Sequence, residues 1–244
     1  MRVTLAAVNF LTVPLARVDQ PSPRSRLLSV DIRGHAFEYL AGQAVTMGPH
    51  GAPVRRPFSI ACSPERAAET HALEMLIALE GGSEDMTWAT SGALVDVEGP
   101  IGTFTFPSSL SQSRILFVAG GTGIAPVRAM LDHALRRHPT ERISLLYSTR
   151  RSDEFAFVEE LRTHERAGRL ELHQTVTRDD STSWYGRRGR IGRSHFEAVL
   201  HEPAATLCFV CGPPSLVSDS AATLRELGVP DALIRTEGWG KVTE

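Results

Sequence analysis

The hydrophobic pattern divides the chain into two halves with different periods. Up to about residue 108, apolar and polar positions mostly alternate, as over 73–80, where four apolar side chains share one face and two glutamates the other. Alternation with a period of two indicates strands that bury one face. Glycines and prolines separate these runs at short intervals. The first half therefore predicts an antiparallel β-barrel or sandwich.

The second half, residues 109–244, alternates short apolar runs with amphipathic segments. Several runs are apolar on both faces, which is typical of parallel strands covered by helices. We therefore expect a doubly wound α/β domain with a five-stranded parallel sheet and a ligand at the carboxyl ends of its strands. The domain boundary is expected at residues 108 and 109, in a serine-rich stretch. The predicted strands are Ile115–Ala119, Ile143–Tyr147, Leu170–Val176, Leu207–Val210 and Leu233–Arg235.

Composition and charge exclude several classes of protein. Hydrophobic residues make up 42% and charged residues 22% of the 244 positions, which argues against disordered and coiled-coil chains. The net charge of -2 provides no overall basic field for nucleic acid. No stretch reaches the roughly 20 apolar residues that a membrane span needs. We expect a cytoplasmic protein, and we interpret the apolar segment 3–16 as a first strand, with a signal peptide as the alternative.

The cysteines and histidines point away from disulfide, cluster and metal chemistry. Three cysteines are too few for a disulfide framework and one short of the four thiolates of an iron–sulfur cluster. Cys208 and Cys211 have the CxxC spacing, but in a strand residues three apart point to opposite faces. The nine histidines show no metal-ligand spacing, so no metal site is expected.

Two glycine-containing loops follow predicted strands of the second half. Gly120–Pro126 follows the first of these strands, and Cys211–Pro214 follows the fourth. Glycine allows the backbone to approach a phosphate closely, and the N-terminus of a following helix favours its charge. The first loop lacks the GxGxxG spacing, so a plain tight turn is its alternative interpretation. Two such loops at the same edge of one sheet indicate a nucleotide site more specifically than either alone.

Four motifs resemble those of the ferredoxin–NADP reductase family, and they occur in the family's order. Residues 56–59, Arg-Pro-Phe-Ser, resemble the flavin-binding Arg-x-Tyr-Ser motif, and 120–127 resemble the loop for the nicotinamide pyrophosphate. Residues 211–214 resemble the Cys-Gly-Pro-Pro motif, and 237–240 resemble the C-terminal acid and aromatic signature. The resemblance implies a flavin-binding β-barrel followed by an NAD(P)-binding α/β domain.

On the flavin side, the resemblance implies a role for each matched residue. Arg56 binds the flavin diphosphate, Phe58 stacks on the isoalloxazine in the family's tyrosine position, and the Ser59 hydroxyl lies near the flavin N5. The segment 82–87 supplies further donors to the diphosphate, although Ser83 is equally suited to cap a helix. FAD is expected as the flavin. FMN stays the alternative, because the spacing of this segment departs from the commoner one. The implied flavin-binding residues are Arg56, Pro57, Phe58, Ser59, Gly82, Ser83, Thr87 and Trp239.

On the nicotinamide side, the resemblance places Cys211 near the reacting carbon and matches Glu237 to the family's C-terminal acid. Trp239 is the aromatic residue that covers the flavin, but five residues follow it here, whereas some family members end at the aromatic. The implied catalytic residues are Ser59, Cys211 and Glu237. The residues implied to bind the pyrophosphate are Gly121, Thr122, Gly123, Pro126, Gly212 and Pro213.

Arginines near the expected adenosine site bear on the choice of nucleotide. Arg150 and Arg178 follow the second and third predicted strands, and Arg187 precedes the turn 189–191. An arginine near the adenosine accommodates the 2′-phosphate of NADPH. Solvated loop charges are the alternative interpretation. Asp179 and Asp180 weaken the case, because an acidic residue suits the free hydroxyl of NADH.

The function implied is that of an NAD(P)H-dependent flavoprotein reductase. The enzyme takes a hydride from NADPH or NADH onto FAD and passes single electrons to a separate redox protein, an iron–sulfur or haem protein such as a ferredoxin or oxygenase component. One alternative is a reductase of free flavin, quinone or ferric chelates. Another is a subunit that binds flavin or nucleotide without catalysis.

Overall fold

The computed structural model describes residues 9–79 and 86–238, and in these ranges two six-stranded sheets make up the two halves. The first sheet is antiparallel, with the order β4-β3-β6-β1-β2-β5. An isolated bridge between Ile60 and Met75 brings its two edge strands together and closes it into a barrel. The strands are β1 (Asn9–Ser22), β2 (Ser25–Asp31), β3 (Ala44–Pro49), β4 (Arg56–Ser59), β5 (Ala72–Ala78) and β6 (Leu94–Ile101).

The barrel core follows the alternation seen in the sequence. Along β5, Leu73, Met75 and Ile77 are buried and face the core, while the residues between them are more exposed or face the other domain. A short helix, α1 (Pro64–Thr70), precedes β5 and is not among the sequence predictions. It begins because the Ser63 hydroxyl accepts the N–H of Arg66 at 3.0 Å and a proline follows the cap.

The second sheet is parallel, with the order β10-β9-β8-β7-β11-β12. The predicted doubly wound domain is confirmed, because α2 and α3 cover one face of this sheet and α4 and α5 cover the other. The strands are β7 (Arg114–Gly120), β8 (Arg142–Thr149), β9 (Glu171–Val176), β10 (Arg187–Arg188), β11 (Thr206–Gly212) and β12 (Ile234–Gly238). The helices are α2 (Ile124–Arg137), α3 (Val158–Arg166), α4 (Arg193–Val199) and α5 (Pro214–Glu226).

Two details differ from the sequence predictions. The sheet has a sixth strand, β10, which has only two exposed residues at the edge and so leaves no hydrophobic signal. The spacing of Ser194 and Glu197 in the sequence is that of a capping box and predicts a helix that opens at Ser194, but helix α4 begins directly after Gly192. The ring of His195 accepts the Gly192 N–H at 3.3 Å, so the imidazole takes over the capping role.

The three cysteines are free and buried. Cys208 belongs to the core under α4 and α5, and Cys211 belongs to the core under α2 and α3, so the pair lies on opposite faces of the sheet as predicted. Burial raises the pKa of Cys62 to about 11 and that of Cys208 to about 12. These two thiols are therefore protonated at neutral pH and act as small apolar groups.

The chain between β6 and β7 joins the two halves without a helix or strand. Phe104 and Phe106 in this connection pack on Phe209 of β11, with ring centroids 5.8 and 5.7 Å apart. We propose to divide the domains at residues 108 and 109, inside this connection. Within 9–79 and 86–238, no helix combines the length and apolar character that crossing a bilayer requires.

Candidate functional site: a cleft between the two domains

A cleft of about 820 Å³ lies between the barrel and the parallel sheet. Its volume falls in the range of small-molecule and cofactor sites, which is roughly 300–1,000 Å³. Residues from β4, β5 and the β1–β2 turn form the barrel side of the cleft. The ends of β7, β8 and β11 and the loops that follow them form the sheet side. This is the carboxyl edge of the parallel strands, where the sequence predicts the ligand.

Three of the four residues in the Arg-Pro-Phe-Ser motif line the barrel side of the cleft: Pro57, Phe58 and Ser59. Phe58 is half-buried and packs against the barrel core, so its ring is fixed at the cleft surface. Arg56 begins β4, is exposed and does not line the cleft. The β1–β2 turn adds a polar group, in which the hydroxyls of Ser22 and Ser25 lie 2.7 Å apart.

On the sheet side, the first glycine loop turns directly from β7 into α2. Gly121, Thr122 and Gly123 form a single 3-10 turn that lines the cleft, and α2 begins at the next residue. Gly121 has φ +56°, which favours glycine, and open space lies beyond its Cα. Within 9–79 and 86–238, no side chain caps the first turn of α2, and that turn contains no acidic residue, so its backbone N–H groups remain suited to an anion.

The second glycine loop packs directly on the first. A Cβ at Gly123 would lie 2.5 Å from the carbonyl oxygen of Cys211, and one at Gly120 would lie 2.9 Å from the ring of Pro213. Only glycine fits at these two positions, because the clashes involve backbone or a rigid ring. Gly212 and Pro213 line the cleft beside the first loop. The prediction that the two loops meet at one edge of the sheet is confirmed.

Tyr147 is a site residue that the sequence analysis missed. Its hydroxyl, at the end of β8, donates to the carbonyl of Gly121 at 3.3 Å and accepts the N–H of Ala156 at 3.2 Å. Burial raises the pKa of Tyr147, so the hydroxyl keeps its proton and holds the glycine loop. A tyrosine near the end of a buried strand was the available signal, because a buried hydroxyl needs a partner.

The expected arginines divide into two groups. Arg150 and Arg178 line the cleft, and Arg190 joins them, whereas Arg187 does not. Arg187 is exposed, and its guanidinium donates to the carbonyl of Ser194 at 3.4 Å.

The carboxylate of Asp179 binds backbone N–H groups of the loops next to these arginines. It is buried, and its carboxylate accepts the backbone N–H groups of Ser152 at 2.7 Å and Ser181 at 2.8 Å. These bonds lower the pKa of Asp179 to about 2, so it is ionised at neutral pH. It does not line the cleft, which weakens the sequence argument that it would hold a ribose hydroxyl.

Two of the three expected catalytic residues lie beside the cleft rather than on its surface. Cys211 is fully buried, and it pairs with Ala119 on one side and with Glu237 on the other. Glu237 is half-buried and lines a separate cavity of about 330 Å³ together with Phe104 and Arg235. The roles of Cys211 and Glu237 at the nicotinamide remain predictions, as does the role of Ser59.

The other expected residues fall in three places. Pro126 is buried in the first turn of α2. Thr87 is exposed in the turn before β6. Gly82, Ser83 and Trp239 lie outside the residues that the structure describes.

The residues present fit a flavin and a pyridine nucleotide. A cleft shared by both domains brings a half-buried ring, an arginine group and two glycine loops to the same space. Phosphate groups suit the glycine loops and the guanidinium groups, and a flat ring system suits Phe58.

Known proteins resemble this chain in sequence and in fold. The family model of the oxidoreductase NAD-binding domain matches residues 117–222. Ferredoxin–NADP reductase B of Sorangium cellulosum is 33% identical over 237 residues, which cover 92% of this chain and 96% of that protein. The electron transfer component of xylene/toluene monooxygenase from Pseudomonas putida is 28% identical over 147 residues, which cover 59% of this chain and 41% of that protein.

Among solved structures, a cytochrome P450 reductase from Amycolatopsis superposes with a TM-score of 0.85. The superposed region covers 97% of this chain and 71% of the reductase chain. The identity is 22%, so this likeness concerns the fold alone. The relative from Sorangium carries the assignment, because it is aligned along nearly its whole length. The chain belongs to the ferredoxin–NADP reductase family, and it is an NAD(P)H-dependent flavoprotein oxidoreductase.

Proposed function

We propose that this enzyme oxidises NADPH and delivers single electrons to a separate carrier protein. The single observation that carries the proposal is the cleft between the two domains, which both glycine loops, Phe58 and Ser59 line. The chemistry that FAD supplies when bound is the exchange of two electrons with a nicotinamide and of single electrons with an acceptor. The names of the Sorangium and Pseudomonas relatives, a ferredoxin reductase and an electron transfer component, support a protein acceptor.

The chain's own residues bind and orient the two cofactors in this proposal. Phe58 supports the flavin ring, and the Ser59 hydroxyl is a donor for the flavin N5. The backbone around Thr122 and the start of α2 hold the nucleotide pyrophosphate. The side chain of Cys211, on β11, supports the nicotinamide site from the buried core of the sheet. Glu237, on the adjacent strand β12, supplies negative charge. Arg56 and Thr87 extend the flavin site beyond the cleft.

The arginines at the cleft support NADPH over NADH. Arg150, Arg178 and Arg190 offer guanidinium groups where the loops after β8, β9 and β10 meet. Guanidinium pairs with phosphate in a fixed geometry, which a 2′-phosphate can use and a free hydroxyl cannot. Asp179 is occupied by two backbone N–H groups and offers no competing interaction with a ribose hydroxyl.

The first experiment records the visible spectrum of the purified enzyme and follows the flavin band after addition of NADPH or NADH without oxygen. We expect the band to bleach at least about tenfold faster with NADPH, since one charge-assisted pair to a phosphate contributes about 1.5–3 kcal/mol. Arg178→Met should reduce this preference, and Arg162→Met, a surface change on α3, should not. A protein that binds FAD and remains oxidised with both nucleotides would contradict the proposal.

The same assay tests the role of Ser59. Ser59→Ala should slow flavin reduction about tenfold or more while the dissociation constant for FAD changes less than about threefold, because the hydroxyl contacts the reacting end of the flavin. Stopped-flow absorbance gives the rate, and fluorescence titration of the apoprotein gives the affinity. Ser91→Ala, a surface serine on the barrel, serves as the matched control. Equal reduction rates in Ser59→Ala and the parent would refute the assigned role.

Transfer to the acceptor is tested with a plant-type [2Fe–2S] ferredoxin and with free FMN or ferric citrate. We expect saturable NADPH oxidation with the ferredoxin and slow, unsaturated oxidation with the small molecules. The reverse pattern would identify a reductase of small acceptors, the second candidate function.

A further inference from the structure

A buried arginine on α2 crosses the boundary between the two domains. Arg128 lies one helical turn after the first glycine loop, and its side chain is only 5% exposed. One of its terminal nitrogens donates to the carbonyl of Ala61 at 2.9 Å and to the carboxylate of Glu74 at 2.6 Å. Both acceptors belong to the barrel. A single side chain of the NAD(P)-binding domain therefore bonds to the backbone and to a side chain of the other domain.

The rest of the same guanidinium bonds within its own domain. Its Nε and its second terminal nitrogen donate to the carboxylate of Glu160 on α3 at 3.1 and 2.8 Å. The group also lies over the ring of Phe157, 4.2 Å from the ring centroid. Burial lowers the pKa of Arg128, but the bonds and charge of Glu160 and Glu74 outweigh this and raise it above its ordinary value. The planar guanidinium group donates to acceptors in both domains and also stacks on an aromatic ring. A lysine ammonium group cannot reproduce this arrangement.

A second, partly buried ion pair continues this arrangement one turn further along α2. Asp132 accepts the Ser63 hydroxyl at 2.6 Å and is bonded to the guanidinium of Arg66 at 3.2 Å. Arg66, on α1 of the barrel, also reaches Glu160 at 3.1 Å. We call these five side chains the Arg128 cluster: Glu74, Arg128, Asp132, Arg66 and Glu160. The cluster joins β5 and α1 of the barrel to α2 and α3.

The Arg128 cluster lies directly behind both sides of the cleft. Ala61 follows Ser59 by two residues, and Glu74 precedes the cleft residue Leu76 by two. On the other side, the loop Gly121–Gly123 leads straight into α2. Another cross-domain pair, Arg24 with Glu154, is longer at 3.7 Å, and its arginine side chain is 40% exposed. Water screens that pair more than the Arg128 cluster.

We propose that the Arg128 cluster is a clamp that sets the spacing between the two sides of the cleft, which makes Arg128 a positioning residue for electron transfer from nicotinamide to flavin. This role rests on the proposed function. Buried ion pairs often add little net stability compared with apolar packing, so stability alone gives a weak reason for five charged groups here. Geometry gives a stronger one, because transfer rates fall steeply when reacting groups are displaced by about 1 Å.

The first test measures the distance between the domains. Spin labels at Glu38→Cys on the barrel and Glu165→Cys on α3 report it by double electron–electron resonance, since both positions are exposed and the native cysteines are buried. We expect one narrow distribution for the parent and a broader one for Arg128→Met. Arg128→Lys should fall between them. Arg114→Met is the matched control, because it breaks an ion pair with Glu202 inside one domain.

The second test separates positioning from general stability. In Arg128→Lys, flavin reduction at saturating NADPH should slow about tenfold or more, while the dissociation constant for NADP⁺ changes less than about threefold. If Arg128→Met does not fold, Glu74→Gln provides the second variant, since it removes one counter-charge and keeps the shape.

Three outcomes are distinguishable. A lower melting temperature with unchanged distances and unchanged reduction rate would overturn the clamp and leave a structural role only. Broader distances with an unchanged reduction rate would also overturn the positioning role. If the parent itself is never reduced by NADPH, the proposed function fails, while broader distances in Arg128→Met would still establish that the cluster holds the domains together.

Discussion

Single side chains in this fold work through their backbone partners as much as through their own charge. Asp96 of β6 is an example outside the cleft. Its carboxylate accepts the Thr12 hydroxyl at 2.7 Å and the N–H of Gly51 at 3.0 Å, and it lies 2.8 Å from Nδ1 of His50. Asp96 thereby fixes the turn between β3 and β4, and β4 carries the Arg-Pro-Phe-Ser motif. The geometry of the flavin motif therefore depends on an acid two strands away.

The environment of Asp96 predicts a measurable acid sensitivity. Hydrogen bonds from His50, Thr12 and Gly51 lower the pKa of Asp96 from its ordinary 3.8 to about 2. A lowered pKa in the folded state stabilises the fold above the ordinary value, and this contribution disappears as the pH falls through the folded value. Urea unfolding should therefore show Asp96→Asn less stable than the parent at pH 6, with the difference shrinking from about pH 4 towards pH 2.

Asp153→Asn, which makes the same change at an exposed carboxylate, serves as the control for the substitution itself. A difference between Asp96→Asn and the parent that stays constant down to the lowest pH at which both fold would show that the charge of Asp96 plays no part.

At the scale of elements, the hydrophobic period predicts strands well and short polar elements poorly. All five predicted parallel strands appear, with ends that differ from the prediction by at most three residues, because long apolar runs can be buried in few ways. Helix α1 has seven residues and buries only Ala67. The Ser63 cap at its start is a local signal. The ion pairs that hold the helix against α2 join residues more than 60 positions apart. No local pattern contains that information.

The candidate site shows the same limit. The two glycine loops could be predicted because each follows a strand, and parallel strands end at one edge. The sequence shows that β8 carries a tyrosine whose buried hydroxyl needs a partner, but it does not show that this partner is the first loop, because that depends on where the hydroxyl points. The Arg128 cluster is still harder to predict from the sequence, since its bonds join residues 54 and 66 positions apart.

Removing the support from β8 should loosen the glycine loop without changing the core. Tyr147→Phe deletes the bonds to Gly121 and Ala156 and leaves a buried N–H without its acceptor, which costs about 1–3 kcal/mol of unfolding free energy. We expect NADP⁺ to bind about 3–10-fold more weakly, because the loop must be ordered when the nucleotide binds. Calorimetric titration measures the affinity, and urea unfolding measures the stability.

Tyr39→Phe is the matched control, because it removes a buried hydroxyl bonded to the Cys62 carbonyl in the barrel core, away from the cleft. It should lower stability and leave nucleotide affinity unchanged. If Tyr147→Phe binds NADP⁺ as tightly as the parent, the loop does not depend on β8.

For the whole molecule, one of the apolar cores contains side chains from both domains. Phe104 and Phe106 of the connecting segment pack against Phe209, and the same cluster contains Leu27 and Leu76 from the barrel. Separating the domains would expose these side chains to water, at a cost of roughly 25 cal/mol per Å² of apolar surface. The domains are therefore expected to unfold together, although each has its own sheet.

Domain-specific fluorescence tests this coupling. Trp88 packs against the barrel core and Trp184 stacks on Phe155 of the NAD(P)-binding domain, with ring centroids 5.4 Å apart. With Trp239 replaced by Phe, the variants Trp88→Phe and Trp184→Phe each report on one domain. In each variant, the fluorescence and far-UV circular dichroism midpoints should agree within about 2 °C, as expected for one cooperative transition. Phe106→Ala, which removes a shared ring, should lower both midpoints or separate them, since such truncations cost about 3–5 kcal/mol. Two midpoints more than about 5 °C apart in the parent background would mean that the shared core contributes too little to couple the domains. The relative position of the two sides of the cleft would then depend on ion pairs alone.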